Sequence, residues 1–241
     1  MAKDFNATTS KITTSYTTHG TQRTYSIWTY REGEGEGGLG RIFEKRTAGA
    51  QVELFFTNNN PAGEDKYQYE RAFSGGAGQW TFTRPAANEW HNIIITYDSS
   101  DPANDPVFYI DGVSQSLKNN TNSSGTANTN TDPYVIGNRG NDDARTWDGG
   151  LCEFAIWDRI LSVAEITATG KGYSPLFFLR SLVFYAPLIN TSQDLKGTGA
   201  LTDANVTAIA HPRIIYPSPA QIRKYTTVAA ASTRNYYRSL L

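Results

Sequence analysis

The chain has few of the side chains on which disulfide, redox and metal chemistry depend. Its 241 residues include one cysteine and three histidines. A lone Cys152 excludes an internal disulfide framework, and its apolar neighbours indicate a small buried residue. The histidines His19, His91 and His211 are widely separated and lack the i, i+4 spacing typical of zinc ligands. Zinc and disulfide functions are therefore not expected.

Charge is also scarce, and long apolar runs are missing. Charged residues make up 19% of the chain and the formal net charge is −1, so no overall field favours nucleic acid or anionic lipid. Residues 1–6 lead into a Thr/Ser-rich stretch without an apolar run. Because a signal peptide or a transmembrane helix needs such a run, we expect neither. We therefore expect a chain made in a cytoplasm, with no nucleic-acid partner and no membrane insertion.

What the chain does contain is a series of short runs rich in β-branched and aromatic residues, bounded by turn residues. The clearest runs are residues 24–30, 51–57, 79–84, 92–97, 107–110, 134–136, 150–157 and 182–188. Weaker runs are residues 10–14, 41–45 and 67–72. This number of strands predicts an all-β fold, a two-sheet antiparallel sandwich with the strand count of a jelly roll.

Local patterns specify one short helix and one tight turn. Ser162 and Glu165 form a capping box that begins the helix, and Gly170 is expected to end it as a left-handed cap. The pair Asp111-Gly112 lies between apolar residues and predicts a type I′ hairpin, since both central residues of that turn need positive φ. Asp111 is therefore expected to be structural.

Two polar stretches interrupt the strand pattern. Residues 31–38 repeat Gly and Glu, and residues 118–132 are an Asn/Thr/Ser/Gly run that is too polar to bury. Both are predicted to be long loops between strands. The Gly-rich stretch has no Lys-Ser/Thr ending, so it is not expected to cradle a phosphate.

Four motifs follow one another in the middle of the chain. They are residues 90–98 (WHNIIITYD), 108–112 (FYIDG), 134–138 (YVIGN) and 147–157 (WDGGLCEFAIW). In this order they resemble a laminin-G-like domain of the concanavalin A-like lectin/glucanase jelly-roll superfamily. With the family's opening strands, short closing helix and last strand, the resemblance extends over roughly residues 4–190. It implies a jelly-roll β-sandwich, which we place at residues 1–189.

No catalytic constellation is recognisable. Relatives on this sandwich that cleave polysaccharides carry alternating acidic residues on one strand, so that two carboxylates point into one cleft. Glu153 has no acidic partner at Ala155 or Trp157, Asp158 falls on the opposite face, and no Gly-x-Ser-x-Gly elbow is present. We predict a non-enzymatic protein that requires no cofactor. A degenerate glycoside hydrolase-like domain is the alternative.

Two loops are rich in the oxygen ligands that Ca²⁺ prefers, as the resemblance implies for a binding rim. Their candidate metal ligands are Asp98, Asp101, Asp142 and Asp143. The second loop also carries arginine, amide and aromatic side chains suited to a sugar, namely Asn138, Arg139, Asn141, Arg145 and Trp147. Ordinary solvated turns are the alternative for both loops. A Ca²⁺-dependent lectin or adhesion module that binds cell-surface glycan is therefore an alternative function.

Residues 190–241 contain too few predicted strands for a compact domain, and their proline spacing favours an extended C-terminal arm. Such an arm is expected to be disordered by itself, so we expect it to dock on neighbouring subunits. The predicted docking residues are Pro212, Ile214, Ile215, Tyr216, Tyr225, Tyr236 and Tyr237. The alternative is that the arm folds back and pairs with an exposed edge of its own sandwich.

A lectin-like sandwich without a signal peptide, followed by a docking arm, resembles phage capsid-decorating or tail-associated proteins. This resemblance predicts a non-catalytic virion protein that is made in the host cytoplasm. Its sandwich would face outward, and its arm would bind capsid or tail subunits or other copies of itself. A cytoplasmic or non-classically exported protein is the alternative.

Overall fold

The computed structural model describes residues 1–47, 50–57, 66–129, 131–190, 192–197 and 199–218. The strands in these residues are β1 (Ala2–Phe5), β2 (Lys11–Thr14), β3 (Gln22–Arg31), β4 (Arg41–Thr47), β5 (Ala50–Thr57), β6 (Lys66–Arg71), β7 (Gly78–Thr83), β8 (Trp90–Asp98), β9 (Val107–Ile110), β10 (Val113–Gln115), β11 (Leu117–Thr121), β12 (Val135–Ile136), β13 (Gly149–Trp157), β14 (Leu182–Ala186), β15 (Leu201–Ala204) and β16 (Thr207–Ile209). One α-helix, α1 (Val163–Gly170), and two 3₁₀ helices, Glu36–Gly38 and Pro175–Phe177, complete the described elements. No helix among the described residues is long and apolar enough to cross a membrane.

The strands form two antiparallel sheets of eight strands each. The first sheet has the order β10-β9-β8-β3-β13-β1-β16, and β14 also pairs with β13. The second sheet has the order β11-β7-β6-β5-β4-β12-β2-β15. The predicted two-sheet antiparallel sandwich is confirmed, and every predicted run overlaps an observed strand.

The main core lies between the sheets, because each strand turns alternate side chains toward the facing sheet. On β8, Ile93, Ile95 and Tyr97 lie in this core, whereas Ile94 joins a smaller cluster that includes a residue of α1. Phe82 and Phe108 stack in the core with ring centroids 4.3 Å apart. Such an aromatic pair contributes about 0.5–1.5 kcal/mol beyond the area it buries. The two faces of this strand therefore pack in different clusters.

The helix α1 begins with the predicted capping box. The Ser162 hydroxyl accepts a hydrogen bond from the Glu165 backbone N–H at 3.4 Å, and the Glu165 carboxylate accepts one from the Ser162 N–H at 2.8 Å. The helix ends at Gly170 as predicted, but the predicted left-handed cap there is wrong, because Gly170 is helical and the left-handed residue is Gly172, with φ of 87°. A Cβ on Gly170 would lie 2.2 Å from the Gly112 backbone nitrogen. Gly170 therefore allows the helix to pack directly on the β9–β10 hairpin.

The predicted hairpin turn at Asp111-Gly112 is confirmed. The φ angles of these residues are 52° and 79°, both positive as a type I′ turn requires. The Asp111 carboxylate also accepts a hydrogen bond from the Asn92 N–H at 2.8 Å and lies 2.7 Å from Nδ1 of His91. This contact with Asp111 raises the pKa of His91. Asp111 is therefore structural, as expected.

The two polar stretches are more ordered than loops alone. Residues 118–121 belong to β11, which pairs with β7 at the edge of the second sheet, so the predicted loop over residues 118–132 is wrong at its start. An edge strand tolerates polar residues because it borders water. The Gly-rich stretch packs on the loop before β13, since the Glu36 N–H donates to the Thr146 carbonyl at 2.9 Å.

The C-terminal segment folds back on its own sandwich. β15 pairs with β2 at the edge of the second sheet, and β16 pairs with β1 at the edge of the first sheet. The Lys3 ammonium lies 2.6 Å from the Asp203 carboxylate, and Ile215 forms a parallel bridge with Tyr173. Strands on both sides of residue 189 therefore belong to the same two sheets. Within residues 199–218 the structure shows the folded-back alternative.

The sandwich has two ends, which carry different loops. We call the end where β3 finishes at Arg31, paired with Gly149, the first end. The second end is the one where β3 begins at Gln22, paired with Asp98. Nine residue steps of about 3.3 Å separate these ends by roughly 30 Å. The loop after β8 therefore lies at the second end and the loop before β13 at the first.

Candidate ligand-binding site

The predicted sugar-binding rim is only partly a surface. Asn138 is fully buried; its Nδ2 donates to Thr146 Oγ1 at 2.8 Å, and its Oδ1 accepts from the backbone N–H groups of Arg139 and Arg145. Trp147 is 1% exposed and lies in the main core. The predicted ligand roles of Asn138 and Trp147 are therefore wrong, because neither side chain reaches a ligand at the surface.

The other three rim residues lie closer to solvent. Asn141 is exposed, and Nε of Arg139 donates to the Asp142 carboxylate at 2.9 Å. Arg145 is half-buried against Gly37 of the Gly-rich stretch. Together they form a polar turn stabilised by its own hydrogen bonds. Glycan binding by these residues stays a prediction.

The four predicted metal-ligating carboxylates do not come together. Asp98 and Asp101 lie at the second end and accept hydrogen bonds from backbone N–H groups two residues later, at 3.0 and 2.8 Å. Asp142 and Asp143 lie at the first end, where Asp143 is 2.6 Å from the Lys11 ammonium. About 30 Å of sandwich separates the two pairs, so they cannot share one ion. No group of three or more His, Cys, Asp or Glu side chains in the described residues could hold a metal, and Ca²⁺ binding at either loop stays a prediction.

A cavity of about 500 Å³ opens at the first end of the sandwich. Its lining residues come from strand ends and the β7–β8 loop: Arg31, Lys66, Thr83, Arg84, Pro85, Ala86 and Lys118. The register places Lys66 directly opposite Thr83, and the chain then turns away into the loop. The volume lies within the range of pockets that hold small organic ligands.

Positive charge dominates this basic cavity. Four of the seven lining residues are Arg or Lys, and none of the described lining residues is acidic. Arg31 and Lys66 are 8% and 4% exposed, whereas Lys118 is exposed to solvent. Burial raises the pKa of the Tyr67 hydroxyl to about 12, against the opposing charge of Arg31. The cavity thus combines two buried cations with an exposed lysine, an arrangement suited to an anionic group.

The sequence pattern did not predict the basic cavity. Arg31, Lys66, Arg84 and Lys118 belong to four separate segments, so no local spacing connects them. One signal was available: on β3, Arg31 has the same alternation as the inward-facing Ile27. A cation at an inward-facing position of a central strand is unusual, and the alternation of the sequence shows it.

A buried carboxylate lies in the middle of β13. The register with β3 shifts between Cys152 and Ala155, and Glu153 between them has φ of 57°. Its two oxygens accept hydrogen bonds from the hydroxyls of Tyr185 and Tyr216, each at 2.6 Å. Two tyrosine hydroxyls thus hold this carboxylate inside the sandwich. The absence of enzymatic activity stays a prediction.

Cys152 is buried, as expected, and burial raises the pKa of its thiol well above the usual value. A protonated, inaccessible thiol is a poor nucleophile and a poor metal ligand. The residue therefore contributes to packing in the core.

Four of the predicted docking residues lie in the described arm. They are Pro212, Ile214, Ile215 and Tyr216. The Ile215 N–H donates to the Gly172 carbonyl at 2.8 Å, and the Tyr216 hydroxyl donates to Glu153, so these two residues contact their own sandwich. Tyr225, Tyr236 and Tyr237 lie outside the described residues. Docking of the arm on a partner stays a prediction.

Solved structures with similar folds include three of different origin. A candidate carbohydrate-binding protein from Bacteroides ovatus aligns with a TM-score of 0.64 and 17% identity, over 86% of this chain and 59% of that one. A heptameric SAP-like pentraxin from Limulus polyphemus aligns with a TM-score of 0.55 and 12% identity, over 84% and 94%. The enzymatically active domain of tailspike protein 2 of bacteriophage CBA120 aligns with a TM-score of 0.52 and 10% identity, over 74% and 28%. Identities this low show a shared fold alone.

Sequence comparison identifies the family. A search of curated proteins found no match. The profile of the concanavalin A-like lectin/glucanases superfamily, in its laminin-G form, matches residues 6–167, more than half of the chain. The motifs and the sandwich agree with this match, and the chain belongs to the concanavalin A-like lectin/glucanases superfamily.

Proposed function

We propose that this protein binds an acidic carbohydrate in the basic cavity and carries out no reaction on it. The observation that carries the proposal is the convergence of four cations on one cavity of ligand size in a lectin-like sandwich. The planar guanidinium groups of Arg31 and Arg84 suit a sugar carboxylate or sulfate. Pro85 and Ala86 supply an apolar surface for the face of a sugar ring.

Glycan arrays test the ligand class, and substitutions test the site. We expect binding to uronic, sialic or sulfated glycans and not to their neutral counterparts. Arg84→Gln and Lys118→Gln should each weaken binding by roughly tenfold or more, since a hydrogen bond to a charged group contributes about 1.5–3 kcal/mol. Arg139→Gln, at the same end but in another loop, is the matched control and should leave binding unchanged.

The opposite pattern of effects on glycan binding would favour the predicted sugar-binding rim over the basic cavity. If Arg139→Gln abolishes binding while the cavity variants retain it, the ligand lies on the loop before β13. Loss of binding in EDTA would point to the Ca²⁺-dependent lectin that the sequence left open. If no acidic glycan binds under either condition, the proposal fails.

A structural role on a virion is a second candidate. It is supported by exposed apolar side chains where the described chain ends: Tyr173, Ile215 and Tyr216. These side chains could contact a neighbouring subunit and hold the sandwich outward. Deletion of residues 219–241 tests the role of the arm. We expect the shortened chain to keep its thermal stability and to lose assembly, measured by light scattering and by incorporation into particles. Unchanged assembly would refute docking through the arm.

A further inference from the structure

Three buried cations face the interior at the second end of the sandwich, far from the basic cavity. Arg23 continues the inward-facing row of β3 that contains Tyr25, and Lys45 and Arg71 continue the corresponding rows of β4 and β6. Arg23, Lys45 and Arg71 are 2%, 1% and 3% exposed. The alternation of a sandwich strand normally places apolar residues at such positions. We call these residues, with His19, the inner cation cluster.

The cluster has few partners of opposite charge. None of the three guanidinium nitrogens of Arg23 has a hydrogen-bond acceptor among the described residues, and its ion pair is a 3.4 Å contact with the half-exposed Asp158. Arg71 has no side-chain hydrogen bond or ion pair in the described part of the chain. Both ring nitrogens of His19 are buried without a hydrogen bond to any described residue. Buried donors without acceptors destabilise a fold, and more so when they are charged.

Lys45 is satisfied by neutral groups. Its ammonium donates to the carbonyl oxygens of Thr17, at 2.7 Å, and Asp132. Asp105, another acid at this end, accepts instead from the Trp80 indole at 2.6 Å. Among the described residues, the acids that act on the cluster are Asp158, near Arg23, and Asp132, near Lys45, so two acids face three cations.

The repulsion between the cations of the cluster contributes to the low pKa values of Lys45 and His19. The pKa of Lys45 is lowered to about 8, mainly by burial and in smaller part by Arg23 and Arg71, against the opposing effect of Asp132. Burial also lowers the pKa of His19 to about 2, assisted by the charges of Arg71, Arg23 and Lys45. The described side chains at this end therefore leave a positive potential around Lys45 and His19.

We propose that the inner cation cluster binds one small free oxyanion, such as phosphate or sulfate. The guanidinium of Arg23 and the ring of His19 have hydrogen-bonding groups without partners among the described residues, and Arg71 and Lys45 supply charge. Because all three cations are buried, a polymeric glycan cannot reach them. The ligand is therefore a compact ion that completes the core, independent of the carbohydrate in the basic cavity.

Thermal unfolding of the full chain provides the first test. Sodium phosphate and sodium sulfate, each compared with sodium chloride at equal ionic strength, should raise the Tm in a saturable manner. Arg23→Met should weaken the apparent affinity by about tenfold or more, because one charge-assisted donor is lost. Arg139→Met, a surface arginine at the other end, is the matched control and should leave the response unchanged.

The ring of His19 provides a second test that does not depend on a variant. In chloride, its nitrogen chemical shifts should stay those of a neutral imidazole until the protein unfolds in acid. Saturating phosphate should raise the pKa of His19 into the measurable range, since a bound anion offsets the neighbouring cations. Equal Tm values in chloride, phosphate and sulfate, or an unchanged His19 in phosphate, would overturn the proposal. A full anion response in Arg23→Met would also overturn it. Arg84→Gln should leave both readouts intact, which separates this site from the basic cavity.

Discussion

The contact between the C-terminal segment and Glu153 can be tested with the conservative variant Tyr216→Phe. The Tyr216 hydroxyl donates to Oε1 of Glu153 at 2.6 Å, and the Tyr185 hydroxyl donates to Oε2 at the same distance. Glu153 itself is 1% exposed. The variant removes one donor to a buried carboxylate and keeps the aromatic ring. The decrease in the free energy of unfolding therefore reports on the hydrogen bond.

The expected decrease in the free energy of unfolding depends on how far water can replace each tyrosine hydroxyl. A hydrogen bond to a charged group contributes about 1.5–3 kcal/mol to stability. Tyr216 is 40% exposed, so water can partly replace its hydroxyl, and we expect the lower figure of about 1.5 kcal/mol. Tyr185 is fully buried, so Tyr185→Phe should cost about 3 kcal/mol. For a protein of this size, 1.5 kcal/mol lowers the Tm by roughly 3–6 °C.

Urea unfolding of both variants and of Glu153→Gln measures these values. Tyr173→Phe is the matched control, since Tyr173 is similarly exposed and its hydroxyl makes no hydrogen bond to a described residue. In a double-mutant cycle, Tyr216→Phe should cost much less when Glu153→Gln is already present. An unchanged stability in Tyr216→Phe would refute the contact with Glu153. A cost larger than that of Tyr185→Phe would refute the argument that burial sets the strength of the two hydrogen bonds.

Two further substitutions probe the hairpin and the helix that packs on it. Because Asp111 raises the pKa of His91, protonated His91 stabilises the fold fully below its unfolded pKa of about 6.5, and the contribution is lost as pH rises through the folded value. The Tm difference between pH 5.5 and pH 8 should therefore shrink in His91→Asn; a difference equal to that of the parent protein would contradict this. Gly170→Ala gains about 1 kcal/mol in helix propensity but forces a Cβ to within 2.2 Å of the Gly112 backbone. Overpacking costs about 1–3 kcal/mol or more, so we expect net destabilisation in urea, and a stabilised variant would show that the helix can move away.

The strands could be predicted from the sequence because each depends on alternation within a few residues. The residues 92–97 show this clearly, since their two faces separate as the pattern predicts. The candidate site could not be predicted in the same way. Asn138 and Trp147 have the chemistry of a sugar-binding rim, yet both are buried, because the loop before β13 turns inward and uses the Asn138 amide for its own backbone.

The sequence by itself determined the elements whose cause is local. The Asp111-Gly112 turn and the Ser162 cap follow from backbone preferences of adjacent residues. Only the tertiary structure decided which distant residues meet. Strand order and register place Arg31 in a basic cavity at one end and Arg23 in a buried cation cluster at the other. Such partners are separated by many residues and joined by strand pairing, so no local pattern of residue types encodes them.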